Sequence, residues 1–495
     1  MRSAAGRALV TNEARRVAIA LLLLSAAAGC RGSSADTRRP EPTSLRVGYG
    51  LAAGASSEIG SRQAARVISL EGLVVVGTDG RPLPRLAESW VVSDDRLRWR
   101  IRLRQGGRFH TGQPLDAAIA KKILDSQLST VMGPAYDDVA EILAVSERDL
   151  EVRLRRPSAF LMELVDLVTI QLPAAPLTGA GPFRVSREGN DQIEMTRNDA
   201  YYAGPPTVPT ITIKPYTSLR AAWADMLRGE VDMLYDVGVE ALDSLESSND
   251  VRIFSFPRGY AYLLLLNVRR PALRDAAYRR MLNAAIDRDA LVADSLRGHG
   301  TPARGPVSPR SWAYASSLPQ FDYRPGNAPE PRRPFKILFE EPALERMALV
   351  VQRQLQAVGV DTDLDLVAQN EFARRVRAGD FDAALADYRQ GPNLARSYLY
   401  WHSGAPFNFG GYSNTHVDEA LDSIRHAADD TAYKAGVAAF QRAVVDDPPA
   451  VFLAWSERAR AVSTRFQVPT DIDGDILRTV HRWRPAGIEQ LARRN

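Results

Sequence analysis

A helix, a glycine and a strand follow one another between Met347 and Leu366, and that order constrains the fold more than any other stretch. Met347, Val350, Val351, Leu355 and Val358 fall on one helical stripe. Gly359 stands where a helix commonly ends in a left-handed residue. Val360, Thr362, Leu364 and Leu366 then alternate with Asp361, Asp363 and Asp365, the period of a half-buried strand. Phe381 to Ala386 reads as the next strand. This rhythm predicts an α/β layer in the C-terminal half.

The N-terminal half has a different texture. Leu97, Trp99, Ile101 and Leu103 alternate with Arg98, Arg100, Arg102 and Arg104, and Leu150, Val152 and Leu154 repeat the pattern. Each reads as a strand with one apolar face, and an apolar helical stretch, Ala117 to Leu128, lies between them. Together they predict a small α+β unit. The arginine row reads as a solvated sheet face rather than a nucleic-acid surface.

The leader sets the address. Residues Met1 to Arg16 carry four arginines against Glu13, and an apolar run from Val17 to Gly29 follows, ending at Cys30. A basic region, a short apolar core and small residues at the cut describe a secretory signal, and the run is too short to span a bilayer. Ala27-Ala28-Gly29-Cys30 resembles a bacterial lipobox, with Ala27 where leucine is usual. Two readings follow: lipidation of Cys30 and membrane anchoring, or an ordinary signal peptide abutting a cysteine. Cys30 is the chain's only cysteine, so no internal disulfide forms. Residues 30–43 read as a flexible tether. Without residues 1–29 the chain is close to neutral, which removes the electrostatic argument for nucleic acid.

A catalytic constellation is missing from the sequence. There is no Gly-x-Ser-x-Gly elbow, no lysine preceded by serine at the Ser-x-x-Lys spacing, and no His-Glu-x-x-His. His402, His416 and His426 share a region at spacings that match no ligand motif. The pairs Asp137-Asp138 and Asp429-Asp430 read as solvated turns or helix N-terminal ends, and His110 as a structural turn residue. No enzyme, metal or cofactor is expected.

Several blocks resemble the family 5 extracytoplasmic solute-binding proteins, the oligopeptide- and dipeptide-binding components of ABC importers. They are Leu86 to Ser93, Arg108 to Gly112, Gly179 to Phe183, Arg197 to Tyr202 and Leu227 to Asp232, followed by Leu266 to Pro271, Leu282 to Arg288, Arg377 to Asp382 and Tyr412 to Asn414. Each is weak alone, and their order over nearly the whole mature chain is specific. The resemblance implies an α/β two-lobe clamp of the periplasmic-binding-protein type (class II, cluster C) with an α+β satellite domain inserted in lobe I. Residues 44–68, 181–257 and 464–495 form lobe I, 69–180 the satellite and 258–463 lobe II. The crossings lie near Pro257 to Leu266 and Ser456 to Thr464. The implied monomer captures a peptide or peptide-like solute by hinge closure and hands it to an ABC permease with its ATPase, outside the cytoplasm. Same-fold readings are a non-peptide solute (sugar, opine-like conjugate, metal chelate) or a sensing role, and an exported hydrolase comes third.

The chain departs from the family where ligand is held. The acid that anchors a peptide's α-amino group in peptide-binding members falls on Gly391, and the nearest acid is Asp387. Gln369 and Tyr388 stand where tryptophan is common, Arg389 follows, and Tyr398 lies in the aligned block after them. The candidate ligand-binding residues are therefore Gln369, Tyr388, Arg389, Asp387 and Tyr398, in a cleft suited to a neutral or acidic ligand.

Overall fold

Four consecutive leucines, Leu263 to Leu266, turn alternately to opposite faces of the longest strand. Leu263 and Leu265 enter one core, Leu264 and Leu266 another, as period two requires of a strand covered on both sides. The computed structural model describes residues 44–50, 57–172, 175, 177–326, 334–340, 344–471 and 473–487. The leader, Cys30, the tether and most of the loop 326–334 lie outside the described residues.

The first half of the chain contributes β1 (Ser44–Gly50), α1 (Ser57–Ser69), β2 (Ala87–Val92), β3 (Arg98–Leu103), α2 (Ala117–Met132), β4 (Val139–Ala144), β5 (Asp149–Leu154) and α3 (Phe160–Val165). Then come β6 (Phe183–Glu188), β7 (Ile193–Arg197), β8 (Thr210–Tyr216), β9 (Met233–Leu234) and the sixteen-residue β10 (Val251–Leu266). The rest adds β11 (Phe335–Phe339), α4 (Glu345–Ala357), β12 (Thr362–Leu366), α5 (Gln369–Ala378), β13 (Ala383–Arg389), α6 (Leu394–Trp401), α7 (Thr415–Arg425), α8 (Asp430–Asp446) and β14 (Ala450–Ser463). The α4 helix ends with Gly359 at φ +81, and the strand after it begins at Thr362. The strand expected from Phe381 starts two residues later, because Asp382 turns aside to accept the Lys336 amide.

One mixed sheet of eleven strands runs β6–β7–β8–β1–β9–β14–β10–β13–β11–β12, with Gly300–Pro302 paired beside β14. Only β10 and β14 join its two halves. Val251 to Pro257 pair with Ser463 to Glu457, and the ladder then resumes at Ala261 opposite Trp455. Arg258 to Tyr260 are left out of that ladder. Two residues of this irregular stretch are instead held from the other side: Gly259 O accepts from both Gln390 N and Gly391 N, and Tyr260 pairs with Arg389.

A buried knot fixes the second half of the sheet. The Arg288 guanidinium is 1% exposed and donates to the carbonyls of Ala303, Phe452, Asn283, Ile286 and Phe321. Asn283 Nδ2 donates to Ala450 O at 2.9 Å. The Leu282 to Arg288 block therefore clamps β14 to the helices over it.

The α+β unit is present as a four-stranded antiparallel sheet, β2–β3–β5–β4, with α2 against it. Its arginine row is a cross-strand ion-pair ladder: Arg102 meets Asp149 at 3.0 Å, Arg100 meets Glu151 at 3.4 Å, and Arg153 bridges Glu151 and Glu141. By chain order this unit sits between strands of the first half of the sheet, yet its core is continuous with α6, α7 and α8 from the second half. Ala159 N donates to Arg425 O at 2.8 Å across that junction. Asp138, expected in a solvated turn or at a helix N-terminal end, is fully buried there and pairs with Arg425 at 2.6 Å. The docking of α7 removed it from water and supplied its partner. Asp429 matches the expected helix-end role, accepting the Ala432 amide at the start of α8.

Candidate functional site

A cavity of about 320 Å³ opens where the irregular stretch of β10 meets the loop 390–393, the first turn of α6, the end of α3 and the C-terminal segment. Its position follows from the sheet. A stretch that leaves one ladder and bonds another cannot be covered by regular neighbours, and space is left on that side.

Arginine dominates the wall. Arg258 points from the irregular stretch, Arg389 ends β13, Arg396 sits in the first turn of α6 and Arg478 comes from the C-terminal segment. Arg258 Nη1 donates to Asp387 Oδ2 at 2.8 Å and its guanidinium lies 4.0 Å from the Tyr260 ring centre. Arg478 Nη2 donates to Val76 O at 3.2 Å. Arg396 Nε is buried without a hydrogen-bond partner. Burial, and then the Arg389 charge, push the Arg396 guanidinium down to about 10.

Two acids face them, the buried Glu163 on α3 and the half-buried Asp166 just past its end. Asp166 accepts the Val76 amide at 2.9 Å, and burial pushes its carboxyl up while Arg389, Arg478 and Arg396 pull it back. Glu163 accepts from Tyr433 OH at 2.6 Å and from Ala395 N at 3.0 Å. Burial pushes it up to about 7. Asp475, also on the wall, is matched by Arg460 at 2.6 Å.

The expected ligand-binding residues divide. Arg389 lines the cavity, and Asp387 stands behind it as the partner of Arg258. The other three do not line it. Tyr388 faces the opposite side of β13, where period two puts it against Tyr400 and its hydroxyl 3.4 Å from Ala384 O. Tyr398 is buried in the core against Phe160 and its hydroxyl accepts from Arg425 at 2.8 Å. Gln369 is exposed at the start of α5. Gly391 lines the cavity at φ +96, and a Cβ there would stand 2.2 Å from Asn393 O. Sequence reasoning missed Asp166, Arg258, Arg396 and Arg478, which are spread over 312 residues of the chain. Among the described residues no group of acids, histidines or cysteines could hold a metal ion, and no helix is long and apolar enough to cross a membrane.

Residues 81–333, half of the chain, match the profile described as bacterial extracellular solute-binding proteins, family 5 Middle. The chain belongs to this family. The probable D,D-dipeptide-binding periplasmic protein DdpA of Escherichia coli (strain K12) is 26% identical over 404 residues, 74% of this chain and 78% of that one. The glutathione-binding protein GsiB of Pectobacterium atrosepticum is 25% identical over 438 residues, 80% and 84% of the two chains. Both are binding proteins by name. The crystal structure of NikZ from Campylobacter jejuni in complex with Ni(L-His) shares the fold, with TM-score 0.75 and 19% identity over 90% of this chain and 100% of that one. This family 5 chain is accordingly a solute-binding protein with the mixed α/β fold of its relatives.

Proposed function

We propose that this family 5 protein is a monomeric, extracytoplasmic lipoprotein that captures a peptide-like solute by an acid group and delivers it to an ABC permease. One observation carries the reading. Arg389 and Arg396 face the cavity with no carboxylate within ion-pair distance among the described residues, whereas Gly391 offers nothing to an ammonium. A buried cation without a counter-charge is costly, and a ligand acid meets that need.

The two sheet halves, 44–68 with 181–257 and 464–495 on one side and 258–463 on the other, are the lobes of the clamp. The irregular stretch of β10 is one hinge strand, and β14 near Ser456 is the other. Hinges of this kind need a few residues to absorb the change, and here Arg258 to Tyr260 belong to the hinge and the cavity wall at once. Cys30 carries the lipid and residues 30–43 the tether, which raises the effective concentration of captured solute at the permease.

Thermal unfolding of the exported protein against peptide-like acids and free peptides tests the ligand class. Stabilisation by acids, with no turnover, is expected, and it scales as RT ln(1 + [L]/Kd). Micromolar binding of free peptides through their amino terminus would sink the reading. Mass spectrometry of the mature N-terminus tests the lipid on Cys30 separately.

A further inference from the structure

The charges around the cavity do not balance. Three half-buried guanidiniums line it, on Arg389, Arg396 and Arg478. None of them has a carboxylate oxygen within 4.0 Å among the described residues. The other charged side chains on the wall itself have partners or face water. Arg258 is matched by Asp387, and Asp475 takes two bonds from Arg460 at 2.6 and 3.1 Å. Arg310 is exposed and water solvates it. Glu163, pushed up to about 7 by burial, keeps its proton below that pH and is bonded to the Tyr433 hydroxyl and the Ala395 amide. Asp166 is the one acid that acts on all three arginines; Asp475, already paired with Arg460, and the exposed Asp473 act on Arg478 besides.

Three cations against one acid leave two positive charges in excess. That Arg389 and burial act together on the Arg396 guanidinium is a second sign of uncompensated repulsion. The cavity of about 320 Å³ sits at the small end of the roughly 300–1,000 Å³ typical of small-molecule sites, so both charges belong to one compact solute.

We infer that the solute held here carries at least two acid groups, so that it neutralises the excess of Arg389, Arg396 and Arg478 over Asp166. The inference rests on the acid-binding reading of the cleft and narrows it to a class: small, peptide-like dianions. A mono-acid of the same shape leaves one guanidinium desolvated and unpaired, and binds more weakly for that reason.

Isothermal titration of the exported full-length protein in chloride buffer tests this with three probes. N-succinyl-alanyl-alanine has two carboxylates, its succinamide counterpart has one in the same outline, and trialanine is a zwitterion. The diacid is expected to bind about tenfold or more tighter than the amide, the range of one charged hydrogen bond. Arg396→Gln is expected to bring the two acids near parity, and Arg389→Gln does the same should the first variant not fold. Asp166→Asn, which enlarges the excess, preserves the preference for the diacid. Equal affinity for diacid and amide overturns the dianion inference and leaves the acid-binding reading standing. Preference for trialanine, or no binding of either acid at millimolar concentration, overturns both.

Discussion

The Tyr433 hydroxyl donates to Glu163 Oε1 at 2.6 Å, so a buried carboxyl ties α3 to α8. Glu163 Oε2 meanwhile accepts the Ala395 amide at the start of α6, the helix that carries Arg396. A single acid thus ties α3 and α6, which form one side of the cavity, to α8 behind them.

Burial pushes that acid from 4.5 to about 7, which has a definite sign. Between those values the folded chain keeps a proton that the unfolded chain releases, so this contribution to stability falls as pH rises and levels off above about 7. The full difference is on the order of 3 kcal/mol. His481 opposes it: burial pushes its imidazole down to about 4, so stability from that group rises with pH up to about 6.5. The difference between Glu163→Gln and the native chain isolates the acid. Glutamine can accept from Ala395 N and donate to the Tyr433 oxygen. Denaturant titrations should find the variant more stable above pH 7, with the gap closing towards pH 4.5. A constant gap across that range refutes the assignment.

The Arg288 knot makes a second prediction. Lysine keeps the charge of arginine but not its planar fork of donors, and five carbonyls converge on this one guanidinium. Arg288→Lys should lose about 3 kcal/mol or more, since each buried acceptor left unpaired costs about 1–3 kcal/mol. Unfolding midpoints in urea measure it. A loss under 1 kcal/mol would show that water or relaxation replaces the fork.

These two residues also mark how far the sequence could be read. Period two made the strands around Ile101 and Val152 legible, and the ordered blocks made the family and its α/β fold legible. Arg288 was visible only as part of a block, because its acceptors are backbone carbonyls from distant segments. The cavity was harder. Arg389 could be found by its offset from Phe381, while Tyr388 and Tyr398 could not be told from core residues without knowing which strand face and which helix face looked inward. Asp166, Arg258, Arg396 and Arg478 come from four separate segments, and nothing local in any of them announces a shared site. Asp138 failed for the converse reason: an acid in a turn looks solvated until a helix from 287 residues away covers it.

Gly391 offers a third test. Its φ of +96 and the 2.2 Å approach to Asn393 O mean that any side chain strains the turn. Gly391→Asp therefore does not restore an ammonium anchor. It should destabilise the chain by about 1–3 kcal/mol, the scale of a strained backbone position, and Gly391→Ala should cost a similar amount. Calorimetric melting reads the loss, and titration with trialanine should find no gain in affinity. Peptide binding acquired by the aspartate variant would mean that the turn rearranges to present the new carboxylate.

Arg389→Ala separates a ligand group from a structural one by the sign of its effect. A structural arginine stabilises the empty protein, and its removal lowers the melting temperature. Arg389 has no ion pair among the described residues and its charge disfavours that of Arg396. Its removal should leave the empty protein unchanged or raise its melting temperature by about 1–2 °C, a small gain because solvent screens a half-buried charge. The same variant should bind the diacid about tenfold more weakly. The two readouts move in opposite directions only if the guanidinium is held ready for a ligand, as expected where function is bought with stability. A lower melting temperature with undiminished affinity would instead make Arg389 a brace for the loop that follows it.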